Sequence, residues 1–180
     1  MHEFLRSAWD EPRPPDPPAR PRWDWAFIGV LAAVAVVEAV SRWEDLRSPV
    51  LSAVIAVGLL PTLRWRRTRP LLVVAIAFGV AGVVPVVIGQ EPELDTMVYL
   101  LLLPFSLFRW GSGREAVLGG LIMTAKLVSS VALGATSVAD GFAGLAILTT
   151  AASLGAALRL RVKGRLRELD RVKLLERERL

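Results

Sequence analysis

The sequence predicts an all-α integral membrane protein: a bundle of about six transmembrane helices with a C-terminal cytoplasmic helix. Two observations carry that expectation. Hydrophobic residues make up 53% of the 180-residue chain, and the mean hydropathy is +0.48 although 22% of the residues are charged. Both hold together only if the charges are kept apart from the apolar stretches. They are: residues 27–37, 50–63, 71–89, 97–108, 116–125 and 142–158 contain no Asp, Glu, Lys or Arg. A helix on the surface of a soluble domain presents polar residues on its outer face at each turn. These segments are apolar all round, as segments that face lipid must be. The absence of cysteine excludes disulfides, thiol catalysis and thiolate metal sites. The single histidine, His2, leaves no basis for a histidine metal cluster or general base.

Residues 1–22 form an N-terminal arm, 23–158 the transmembrane domain and 159–180 a connecting helix. The arm carries Pro12, Pro14, Pro15, Pro17, Pro18 and Pro21 among charges. It cannot bury apolar surface, and its composition predicts an extended, disordered segment. Its first apolar run begins late and lacks a small-residue cleavage site, so an uncleaved first span is expected rather than a signal peptide. Trp23 and Trp25 stand where an aromatic belt would lie, and the first span covers about 25–42 with Trp43 at its far end. Ser48-Pro49 is a cap followed by a first-turn proline, which opens a second span to Leu63. Pro70 opens a third span to about Gly89, and the fourth covers about 94–108. Ser112 and Glu115 have capping-box spacing, and Ser137 and Asp140 repeat it, ahead of a fifth helix to about Gly134 and a sixth span over 141–158. The second and fourth spans hold only about 15 residues between charges, against the 17–25 usual for a crossing. Snorkelling arginines and tryptophans make up the difference, or the two segments form a re-entrant pair.

Counting Lys and Arg between spans sets the orientation. The arm, the second and fourth connections and the tail hold 19 of the 22 basic residues, all on one side of an alternating chain. Arg64, Arg66, Arg67, Arg69, Arg109, Arg159 and Arg161 mark that side at the helix ends. By the positive-inside rule it is the cytoplasm, which places both termini there in the plasma membrane. The net charge of +5 is thereby assigned to the lipid bilayer and its anionic headgroups rather than to nucleic acid.

Lys126 is the one charge near the middle of a span, and a lysine there needs a partner facing the bundle interior. Glu38, near the outer end of the first span, is the expected one. The pair reads either as a polar site sensing a ligand, proton or voltage, or as a structural ion pair. Glu91, Glu93 and Asp95 form an acidic turn that reads as a solvated loop, since a calcium site needs six or more oxygens. Gly119, Gly120, Ala125, Ser129, Ala151 and Gly155 give the last two spans small residues for close helix contact. Pro85 and Pro104 predict kinks. In the tail, Leu158, Val162, Leu166, Leu169 and Val172 share one helical face, with charges of both signs elsewhere. Such a helix reads as a connecting rod or dimer seam about 33 Å long, or as a helix lying on the membrane surface. The pattern stops mid-repeat at Leu180, as expected for part of something longer.

Several of these boundaries resemble a known family. Pro-Arg before Trp23-Asp24-Trp25, Leu63-Arg-Trp-Arg-Arg-Thr-Arg-Pro-Leu-Leu72, Phe108-Arg-Trp-Gly-Ser-Gly-Arg-Glu-Ala-Val-Leu118 and the exit over 154–169 are similar to the membrane region of actinobacterial sensor histidine kinases. These are the kinases that pair with NarL-type response regulators, and the resemblance covers about 21–180. It implies a membrane input module, dimeric, whose exit helix leads to a dimerisation helix bearing the phosphorylated histidine and to a domain that uses ATP and Mg. No histidine follows the last span and no glycine-rich nucleotide box is present, so no catalytic, cofactor-binding or metal-binding residue is carried over. The alternatives are a small standalone transporter and a membrane scaffold.

Overall fold

The computed structural model describes residues 9–14, 21–88 and 94–178. Among them the chain is helical and has no strand. In order come α1 (Pro21–Ser41), α2 (Pro49–Leu59) running into a 3₁₀ segment (Leu60–Trp65), and α3 (Pro70–Ile88). A second 3₁₀ segment (Asp95–Leu101) leads into α4 (Leu102–Trp110), followed by α5 (Gly113–Ala132) and α6 (Val138–Glu178). Three stretches are long and apolar enough to cross a membrane: Arg22–Ser41, Gly113–Ala132 and Val138–Leu169. Pro49–Trp65 and Pro70–Val84 are shorter apolar helical stretches.

The starts follow local chemistry. Pro49 occupies the first turn of α2, where its missing N–H costs nothing, although the Ser48 side chain makes no capping bond. At α5 the capping box is complete: Glu115 N–H donates to Ser112 Oγ at 3.3 Å, and Ser112 N–H donates to Glu115 Oε2 at 2.7 Å. Ser137 accepts from Asp140 N–H at 3.1 Å and donates to the Asp140 carboxylate at 2.7 Å, which starts α6 at Val138. Gly134, at φ 71°, turns the chain between α5 and α6 in the left-handed region open to glycine. The expected kinks take a different form. The α3 backbone stays helical through Pro85, and Pro104 falls in the first turn of α4, where the winding changes from 3₁₀ to α.

That winding bears on the two short spans. A 3₁₀ segment rises about 2.0 Å per residue against 1.5 Å in an α-helix. The 11 α and 6 3₁₀ residues ending at Trp65 therefore reach about 28 Å, and the 7 and 9 ending at Trp110 about the same. Residue count alone underestimates both columns.

Packing is inside-out relative to a soluble bundle. On α1 the small residues Ala35 and Ala39 are buried, at 0% and 4% exposure, while Val30, Val37 and Val40 are exposed at 62–67%. The alanines let α1 close on α2, where Ala56 is likewise buried, and Leu46 and Leu94 seal that cluster. The larger core joins Ile28, Leu60, Leu63, Val73, Phe78, Leu103, Leu107 and Met123 where α1, the first 3₁₀ segment, α3, α4 and α5 meet. The Tyr99 hydroxyl donates to the Ala56 carbonyl at 2.8 Å inside it. α4 packs most extensively on α6, and α3 on α5.

Of the small residues singled out in the last two helices, Gly119 and Gly155 serve this packing, both against α4, whereas Ala125 and Ser129 are exposed. A Cβ at Gly155 would run into the Phe105 carbonyl oxygen, with Arg109 N at 3.3 Å, and one at Gly119 would meet the Leu107 side chain. Gly120 has nothing within 4 Å.

Candidate functional site

The helix-end arginines gather at one end of the bundle. Arg66 and Arg67 each place Nη2 3.4 Å from Asp24 Oδ1 at the start of α1. Arg64 lies over the Trp25 ring at 5.4 Å, and Arg66 over Phe27 at 5.4 Å. Burial, and then repulsion from Arg67, lowers the Arg66 guanidinium from its ordinary pKa, with Asp24 opposing both. Arg69 and Arg161 are exposed.

Arg159 has a role beyond the one its sequence position predicts. Besides marking the end of an apolar stretch, it is buried, with its side chain only 7% exposed. Its Nη1–H donates to the Gly111 carbonyl at 2.7 Å and its Nη2–H to the Pro12 carbonyl at 2.8 Å, with the Glu11 carboxylate at 3.4 Å. Nε is buried with no partner among the described residues. A buried guanidinium so placed is tolerated because two carbonyls and a carboxylate meet most of its donors.

Two of those three partners, Pro12 and Glu11, come from the arm. Residues 9–14 lie along the start of α5 and the middle of α6 rather than extending away, a placement the proline-rich composition does not predict. Glu11 accepts from Gly113 N–H at 2.9 Å through its carbonyl, satisfying one of the unpaired donors at the start of α5, and its carboxylate pairs with Lys163. Arg13 forks onto Glu115, with Nε to Oε2 at 2.8 Å, and donates to the Thr68 carbonyl at 3.1 Å. Asp10 meets Arg114 at 3.1 Å, and Trp9 lies under the same guanidinium. One short segment thus links the α2–α3 turn, the start of α5 and the middle of α6. The signal in the sequence is Asp10-Glu11, an adjacent acidic pair in the arm. Residues 1–8, with His2, and 15–20 lie outside the described residues.

At the opposite end Glu38 takes partners other than Lys126. Its carboxylate accepts from Asp95 N–H at 2.6 Å and Thr96 N–H at 2.9 Å, from the Thr96 hydroxyl, and from Arg42 at 3.1 Å. It thereby closes the start of the second 3₁₀ segment, where backbone donors lack partners. Arg42 also reaches Asp95 at 3.0 Å. Lys126 lies on α5 with its side chain beside Gly82 of α3, so the expected Lys126–Glu38 pair gives way to a helix-start clamp. Glu91 and Glu93 lie outside the described residues. Glu38→Gln is expected to lower stability by about 1–3 kcal/mol, since it weakens several bonds to a charged acceptor. Thermal unfolding in lipid nanodiscs measures this.

Along the tail, Leu158 is half-buried, while Val162 and Leu169 are 47% and 56% exposed. The side chains of Leu166 and Val172 lie outside the described residues. No protein-family model, curated protein or solved structure matches this chain.

Proposed function

We propose that the chain is the membrane input module of a two-component sensor histidine kinase, passing a signal through α6 to a dimerisation and kinase region beyond this sequence. The observation that carries the reading is α6 itself, 41 residues in one uninterrupted helix. At about 60 Å it is twice the thickness of a hydrocarbon core, so a single rigid element spans the bilayer and continues past it. The exposed Val162 and Leu169 on its far half suit a seam with a second copy. In this reading the chain is a homodimer in the plasma membrane, crossing six times with both termini in the cytoplasm. The two columns of about 28 Å support the six crossings, because they nearly match a 30 Å core. ATP, Mg and the response regulator belong to the kinase region.

A stimulus shifts the pairing of the exit helices only by favouring one arrangement over the other. The chain has no cysteine, so single cysteines placed along 160–178 report pairing without background. Disulfide cross-linking in membranes is expected to peak every three to four residues, with maxima at 162 and 169. A flat profile would defeat the dimer rod. Paired rods without ATP-dependent phosphotransfer by the full gene product would favour the scaffold alternative.

A further inference from the structure

Between the basic turn after the first 3₁₀ segment and the last turn of α4 lies a cavity of about 350 Å³. It is lined by Arg66, Arg67, Arg109 and Trp110 at the helix ends, and by Leu102, Phe105 and the single hydroxyl of Ser106 along α4. The charges do not balance. Arg66 and Arg67 share one carboxylate oxygen of Asp24, each at the long distance of 3.4 Å. Arg109 forms no ion pair among the described residues and lies instead over the Trp110 ring at 5.0 Å and Phe105 at 5.9 Å. Three guanidiniums against one carboxylate leave a net charge of +2 around a small, partly buried space. Like charges held this close repel unless an anion sits among them. The wall then adds a second requirement. Leu102 lies seven residues before Arg109 on α4, about 10 Å deeper along the helix axis. The site is therefore cationic and aromatic at the helix ends and apolar below.

We infer that this cavity holds the phosphate of an anionic phospholipid, with its acyl chains running down the apolar wall of α4. Guanidiniums bind phosphate oxygens through paired N–H donors, and basic pockets between helices are suited to lipid headgroups. The apolar wall favours a lipid over free phosphate, which would leave that surface unused. The assignment is independent of what α6 drives and rests only on these helix ends meeting the membrane boundary.

The full chain, purified in mild detergent, is titrated with phosphatidylglycerol or phosphatidylcholine, and bound lipid is counted by native mass spectrometry. Phosphatidylglycerol is expected to be retained over phosphatidylcholine, and Arg109→Gln to weaken that retention by about five- to tenfold. Arg161→Gln, an exposed arginine outside the cavity, should leave it unchanged. Arg109→Gln binding like the unsubstituted chain, or Arg161→Gln losing as much, would overturn the site. Release of phosphatidylglycerol by excess inorganic phosphate would assign the cavity to a soluble anion instead. Circular dichroism in phosphatidylcholine checks that Arg109→Gln folds. Should it not, Arg67→Gln, on the other rim of the cavity, takes its place with the same expected loss.

Discussion

Arg159→Met should destabilise the protein by about 3–5 kcal/mol, the cost of removing one member of a buried charged cluster. Methionine fills much of the same volume, so the loss is of bonds rather than packing. The carbonyls of Gly111 and Pro12 lose their donor, and the Glu11 carboxylate keeps only Lys163 of its two cationic neighbours. Two readouts follow. The thermal midpoint falls, and a single cysteine at Pro14 becomes faster to label with maleimide as residues 9–14 leave the bundle end. Arg159→Lys should recover only part of the loss, because one ammonium lacks the planar fork that reaches two carbonyls at once. Unchanged labelling in Arg159→Met would mean that the arm is held by its other contacts, and the link from arm to exit helix would fail.

Gly155→Val should be nearly as damaging, for a different reason. α4 and α6 approach so closely at this point that a Cβ meets a backbone carbonyl, which cannot rotate away as a side chain can. Overpacking of this kind typically costs about 1–3 kcal/mol, and a branched side chain against main chain belongs at or above the top of that range. Three glycines give an internal scale. Gly120→Ala, with open space around it, should change the melting midpoint by less than about 0.5 kcal/mol in equivalent stability. Gly119→Ala should fall between, since its obstacle is the Leu107 side chain, itself fully buried and short of room to move. Equal effects at all three would show that the α4–α6 contact is not the tight one.

The order of these sites separates what a sequence reveals from what it does not. Features that depend on neighbours in the chain were legible: the apolar segments, Pro49 and Pro70 at helix starts, the Ser112–Glu115 capping box, and the helix after Ser137. Features that depend on distant partners were not. Position near the outer end of the first span points Glu38 to Lys126, yet apart from Arg42 its partners sit 57 and 58 residues away at the start of a 3₁₀ segment. Arg159 looked like one more basic residue after a span, and its carbonyl acceptor at Pro12 is 147 residues earlier. Proline content concealed the seating of residues 9–14, because composition reports what a segment can bury by itself and not the charges waiting on another element. Among the small residues of α5 and α6, Gly119 and Gly155 are contact points, but spacing alone does not say that α4 is the neighbour they admit.

The two mixed columns carry a geometrical corollary. A stretch of chain that holds both windings has no fixed height: rewinding either tight portion into an ordinary α-helix would shorten its column by about 3 Å without adding or removing a residue. That is about half the difference in gauge between thin and thick biological bilayers. In the proposed six-crossing arrangement, a substitution that favours one winding over the other, in Leu60–Trp65 or Asp95–Leu101, would therefore alter the fit of this protein to its surroundings while leaving its composition almost untouched.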